Sequence, residues 1–365
     1  YRKAKADCFF ENTFPTAIQF AEYEQDLLAN LNNLLSRLKS NSGFEGDKDL
    51  LGDFRLLPKK LSTVRKAHSS ENGHVHFSKP ERAVESLFRN YDITPEFRIV
   101  GDFPVDTHVI SALWINMIGH QFDAKLDDSC YGARLKRIRN DELFAEDDEK
   151  PFHISSIGSF VPYFQPYQKW RSDGLKAIRD ELEKDRDVIA VSLDLKSYYH
   201  FIDPMAISGK ALLEALDLEL TDEEKAFTEQ LASFLSAWAE GAEKFGQSVG
   251  GKKAKISGGL VIGLTCSRVI SNALLHRWDK LVLEKLAPIH YGRYVDDMFL
   301  VLRDTGTITN SLDLMSMVQS RMGESYISQN AENDKVWEIN QGSDIQGETR
   351  ISLQSDKQKL FVLQG

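Results

Sequence analysis

Apolar residues recur at three- and four-residue steps through residues 14–39, which predicts one or two amphipathic helices. Residues 40–54, rich in Ser, Asn, Gly and Asp, read as a loop, and Arg55, Lys59, Lys60, Arg65 and Lys66 beyond it read as a solvated basic face. From residue 95 the texture changes. Residues 95–104 (PEFRIVGDFP) predict a strand entering a turn, and 109–118 a buried helix. The strongly basic 134–139 (RLKRIR) gives way to the strongly acidic 141–150, a switch that marks a surface loop. An exposed charged helix over 172–186 is followed by the buried strand 187–193 (DVIAVSL). Residues 205–245 read as helical, with a capping box at Thr221-Asp-Glu-Glu224. A Gly/Lys-rich loop (Gly250, Gly251, Lys252, Lys253, Lys255) precedes a helix over 264–286. Residues 290–302 then alternate as a hairpin with Val295-Asp296-Asp297 at its tip. The order of elements is that of an α+β chain.

Composition narrows the classes. The 365 residues are 42% hydrophobic and 27% charged, the balance of a globular protein rather than a disordered one. No run approaches the roughly 18 apolar residues of a membrane span. Cys8, Cys130 and Cys266 lie far apart and match no metal or disulfide spacing, which fits a reducing, cytoplasmic compartment. A net charge of −10 argues against coating a long duplex, though not against a local nucleic-acid channel, because fields act over a Debye length of about 8–10 Å. The chain opens on Tyr1 and closes in the apolar run Leu360-Phe-Val-Leu363, which reads as a strand with no partner after it; the sequence is expected to be part of a longer protein.

Two segments put carboxylates at the ends of apolar strands: VIAVSLD, ending at Asp194, and HYGRYVDDMFLVL, with Asp296 and Asp297 between two strand-like runs. A carboxylate at a buried strand end is costly unless it is hydrogen-bonded, ion-paired or bound to metal. Carboxylates brought together repel unless a divalent cation neutralises them. Magnesium suits such a site, since it takes one or two carboxylates plus substrate phosphates, and two ions about 3.5–4 Å apart can activate a hydroxyl and stabilise a leaving pyrophosphate.

At these residues the chain resembles a reverse transcriptase. Tyr294-Val-Asp-Asp297 is similar to that family's Y-x-D-D hairpin, and Asp194-Leu-Lys-Ser-Tyr-Tyr199 to its first catalytic segment, D-x-x-x-x-[FY]. Gly259-Leu-Val-Ile-Gly263, with Ser267 and Asn272, resembles the G-L-P-Q-G-x-x-x-S segment against template and incoming base. Ile351–Lys357 resembles the later segment whose lysine approaches the triphosphate, and Asp128–Arg134 the S-Y-G-x-R stretch of bacterial members. The resemblance covers about residues 95–363. It implies a right-hand polymerase with an antiparallel palm sheet packed on helices: a helical N-terminal extension over 1–90, fingers over 91–186, and a palm over 187–365 with a helical insertion at about 205–250. No thumb follows. It implies Asp194, Asp296 and Asp297 as catalytic residues, with Asp297 secondary because neighbouring strand positions face opposite ways. Asp194, Leu195 and Asp296 would hold two Mg²⁺ ions. Tyr199 would be the sugar gate, with Arg98, Lys357 and Gly263 also at the nucleotide.

The family's Pro-Gln is Val261-Ile262 here, and the gap from Asp194 to Asp296 is long. These departures resemble the abortive-infection and defence-associated (unknown-group) reverse transcriptases, some of which are thought to extend DNA without an ordinary template or from a protein hydroxyl. The implied partners are dNTPs, an RNA template or non-coding RNA, a DNA product, and a second copy or partner subunit, with no membrane. Arg134, Lys136, Arg137 and Arg139 form the basic surface expected to meet nucleic acid. Tyr163, Phe164, Tyr167 and Trp170 read first as core packing and second as a surface on which bases stack. The competing readings are an RNA-directed RNA polymerase, disfavoured by Tyr199, and a degenerate palm serving as scaffold for a partner or toxin, disfavoured by three intact acids. A palm-type nucleotide cyclase finds no matching hairpin.

Overall fold

The computed structural model describes residues 1–10, 17–40, 43–67, 75–138, 151–250 and 259–365. Its strands are β1 (Asp53–Arg65), β2 (Tyr91–Asp102), β3 (Val188–Asp194), β4 (His290–Tyr294), β5 (Asp297–Arg303), β6 (Ile327–Gln329), β7 (Val336–Ile339), β8 (Ile351–Gln354) and β9 (Lys359–Leu363). They make three antiparallel sheets, ordered β1-β2, β4-β5-β3-β9 and β6-β7-β8, among many helices, so the chain is α+β.

The four-stranded sheet carries the carboxylates. Val188-Ile-Ala-Val191 is apolar at every position because both faces of β3 are covered. On one face Val191, Leu193, Met298 and Leu300 pack against Trp278, Val282, Leu314 and Met315 from the flanking helices. On the other lies the helix Phe164–Leu182, which approaches closely at Gly174. A Cβ there would stand 2.3 Å from the Phe299 ring. Buried Trp170 donates its indole N–H to the Gly292 carbonyl at 2.9 Å, which locks this helix to β4.

The segment expected as a helical extension over 1–90 holds a long strand besides its helices. Helices span Ala17–Gln25 and Leu27–Leu38, but β1 lies within it and pairs along its length with β2. The boundary expected near residue 90 therefore falls inside one two-stranded ribbon. Burial alternates over residues 53–57, but the adjacent Leu56 and Leu57, then Pro58, break the apolar-polar alternation that would have marked a strand in the sequence.

Residues 205–250 are helical, through Pro204–Ser208, Lys210–Ala215 and Asp222–Gly250. They are no surface appendage: Leu231, Phe234, Leu235 and Trp238 are buried in the main core. The terminal run becomes β9 and pairs with β3. All three cysteines are buried, and no disulfide joins them. Among the described residues no helix is long and apolar enough to cross a membrane.

Candidate active site

The hairpin β4-β5 turns through Val295 and Asp296, with Val295 at φ +61°, a left-handed backbone that a β-branched residue rarely adopts. Antiparallel pairing places Tyr294 opposite Asp297 and Asp297 opposite Asp194, so these three share one row and one face of the sheet. Asp296 projects from the turn and lines a cleft of about 410 Å³ together with Asp194. The Leu195 N–H donates to the Asp296 carbonyl at 3.2 Å, tying the ends of the two carboxylate-bearing segments together. Leu195 also lines the cleft.

The cleft couples two acids to a wall of cations: Lys59, Arg98, Arg268 and Lys357. Lys59 and Arg98 come from the ribbon, where the register shifts between Pro58 and Lys60 and leaves Lys59 out of the ladder. Such a bulge re-aims a side chain. Lys357 sits in the turn Ser355–Lys357, its Nζ 3.9 Å from Asp194 Oδ2. Arg268 lies over the Phe160 ring at 5.4 Å. The same cations depress the basicity of His200, which lines the cleft and whose pKa is lowered first by burial, then by Arg98 and Lys59.

The floor is apolar. Tyr199 shares a 2.9 Å hydrogen bond with the Ser271 hydroxyl, and Tyr198 donates to the Ser271 carbonyl at 2.9 Å. Gly259 is needed because a Cβ there would stand 2.7 Å from the Tyr199 carbonyl. Gly263, at φ +109°, closes the segment. The Ile262 carbonyl accepts from Gly101 N–H at 3.2 Å, joining this floor to the base of the ribbon. Val261 is fully buried, and Ile262 lines the cleft.

Burial pushes the Asp296 pKa up to about 6, reinforced by Asp297 and Asp194 and partly opposed by Arg98. Burial, then Asp194, also raises that of Asp297. Carboxylates crowded to this degree suit a divalent cation, with Asp194 and Asp296 as its ligands on the cleft side. Among the described residues no three His, Cys, Asp or Glu side chains stand together as a ready-made metal cage. An ion held by Asp194 and Asp296 would complete its shell with oxygens of substrate or water, the usual habit of Mg²⁺.

Other predicted residues lie elsewhere. Arg134 spends all five guanidinium donors inside the protein, on the Asp123 carboxylate and carbonyl and on the carbonyls of Asp127, Cys130 and Leu126. Arg137 donates to the same buried Asp123 at 2.7 Å and to the His120 carbonyl. Lys136 donates to the Ile157 carbonyl. Arg139 lies outside the described residues. The run RLKR thus braces a loop in the structure, and its donors meet protein groups.

What orders that loop also orders the hairpin. Arg293, fully buried, donates to both Asp279 carboxylate oxygens, to Asn272 Oδ1 and, at 2.9 Å, to the Val295 carbonyl of the turn itself. Tyr291 adds a hydrogen bond to Asp279 at 2.5 Å. Gly132 passes so near the turn that a Cβ would stand 2.8 Å from the Val295 nitrogen. Lys59, Arg268, His200, Arg293 and Asp279 are the site residues that sequence reasoning missed. No protein-family model matches the chain, and no curated protein matches it.

Proposed function

We propose that the chain is a reverse transcriptase-like DNA polymerase with a right-hand palm and fingers, adding deoxynucleotides by two-metal transfer. The observation that carries this reading is the convergence of Asp194 and Asp296, from different segments, in a cleft also lined by Lys59, Arg98, Arg268 and Lys357. A magnesium-bound nucleoside triphosphate is the ligand whose charges match both groups, its cations facing the acids and its phosphates the basic wall. Asp194 and Asp296 would hold two Mg²⁺ ions, which when bound activate the attacking hydroxyl and stabilise the leaving pyrophosphate. Arg98 and Lys59 would approach the triphosphate from the ribbon, and Lys357, 3.9 Å from Asp194, would meet it from the turn Ser355–Lys357. The Tyr199 ring, held by Ser271, presents a rigid flank to the sugar and excludes a 2′-hydroxyl.

The test is incorporation of labelled dNTPs with Mg²⁺, with and without nuclease pretreatment. Asp194→Asn and Asp296→Asn should each reduce the rate by about 10³-fold, the effect of several kcal/mol of lost charge stabilisation. Tyr199→Ala should admit ribonucleotides. Full incorporation by Asp296→Asn would overturn the reading. RNase sensitivity of the product would identify a bound RNA as template or primer, and nuclease-resistant product attached to protein would identify untemplated or self-primed synthesis. The place in antiphage defence follows from the resemblance alone. It predicts that Asp296→Asn abolishes protection in a phage challenge.

A further inference from the structure

The start of the helix Phe164–Leu182 carries aromatics that the core does not use. Tyr163, Phe164 and Tyr167 are 75%, 50% and 38% exposed. Positions 163 and 167, and 164 and 167, are helical neighbours, so the three rings lie on one side. They are anchored at one end only. Trp170 is buried against β4, and Tyr167 meets it with centroids 5.6 Å apart. Tyr167 also meets the Tyr294 ring edge-on at 5.3 Å, and the Tyr294 hydroxyl donates to the Tyr163 carbonyl at 3.1 Å. The strip therefore runs outward from the residue that precedes the Asp296 turn. It also lies on the sheet face that carries Asp297 and Asp194, because Tyr294, Asp297 and Asp194 form one cross-strand row.

Charge selects the occupant. From Ile154 to Ser172 the charged side chains are Lys169 and Arg171, both basic. Lys169 lies over the Tyr131 ring at 5.2 Å and is paired with Asp173 just beyond that stretch. Exposed π faces with Lys169 and Arg171 on the same helix suit a single nucleic-acid strand, whose bases stack on aromatics and whose phosphates favour positive charge. A protein partner would need an apolar core, whereas these rings come with polar Gln165 and Gln168 between them.

We infer that Tyr163, Phe164 and Tyr167 form a stacking surface for single-stranded nucleic acid, delivering the strand to the carboxylate row beside Tyr294. The strand's role as primer or product rests on the polymerase reading, but its binding does not. The experiment measures anisotropy of a labelled twelve-residue oligo-dT with the purified chain, alongside nucleotide incorporation. Tyr163→Ala/Phe164→Ala should weaken binding by about tenfold or more, since each stacked base contributes that order. Tyr163→Phe/Phe164→Tyr, which keeps both rings, should bind like the unmodified chain. Asp296→Asn should retain binding while losing incorporation. Binding by the alanine pair within twofold of the unmodified chain, or no binding by the unmodified chain, overturns the surface whatever the incorporation assay gives. If the alanine pair instead changes the molecular mass by light scattering with DNA binding intact, the rings are a protein contact and the inference fails. Incorporation that survives Asp296→Asn removes the polymerase reading and leaves the stacking surface standing.

Discussion

Asp296 is ionised at neutral pH against the preference of its surroundings. Burial opposes the charge first, then Asp297 and Asp194, and the pKa rises from an ordinary carboxylate value to about 6. Between that unfolded value and 6 the folded chain binds more protons at this group than the unfolded chain does. Stability contributed by Asp296 is therefore greatest at low pH and falls as pH rises through 6. The rise from 3.8 to about 6 corresponds to about 3 kcal/mol. Asp296→Asn should accordingly raise metal-free stability at pH 7.5 by about that amount, by about half of it at pH 5, and hardly at all below the ordinary carboxylate range, measured by urea unfolding. Mg²⁺ should stabilise the unmodified chain more than the variant at pH 7.5. Equal denaturation midpoints at both pH values would show that the turn relieves the crowding by itself.

At the scale of the element, the hairpin is held from behind. Arg293 and Asp279 are both buried, 0% and 2% exposed at their side chains, and their pairing fixes the Val295 carbonyl. Removing one partner leaves a buried charge alone, so Asp279→Asn should cost about 3–5 kcal/mol in urea unfolding. Val295→Gly tests the turn differently: it relieves the left-handed strain while loosening the unfolded chain, effects of about 1 kcal/mol each that nearly cancel. Stability within about 1 kcal/mol of the unmodified chain, together with slower incorporation, is the expected result. The apolar runs and acidic tip of this hairpin were legible in the sequence because they are local patterns. The Arg293–Asp279 pair was not, since two charges 14 residues apart declare nothing about whether folding buries them together. The protein partners of the basic run 134–137 were hidden for the same reason. A cluster of arginines reads as surface until the fold supplies Asp123 and a ring of carbonyls to receive it.

For the molecule as a whole, the helix Asp222–Gly250 decides where the ribbon stands. Read from sequence it interrupts the stretch between Asp194 and Asp296, because a helical pattern does not say what its apolar face meets. In the structure that face meets the N-terminal region and the ribbon's root. Trp238 and Phe245 lie 5.6 and 5.4 Å from the Phe54 ring at the start of β1, and Phe234 lies 5.8 Å from Phe44 and 6.3 Å from Phe103. Thr228 accepts from the buried Trp114 indole at 3.1 Å. Because Lys59 and Arg98 reach the cleft from this ribbon, packing on Phe54 is coupled to the cationic wall. Phe234→Ala should cost about 3–5 kcal/mol, the usual effect of emptying a buried aromatic site. Trp238→Ala should also destabilise, but its more informative effect is on the nucleotide. With the ribbon's root loosened, Lys59 and Arg98 lose their fixed approach while Asp194 and Asp296, anchored by β3 and the Arg293 network, keep theirs. Nucleotide KM should then rise several-fold with kcat little changed, a loss of binding common to ground and transition states. A fall in kcat at unchanged KM would place the helix's influence on the carboxylates instead, and would mean that the ribbon stands independently of it.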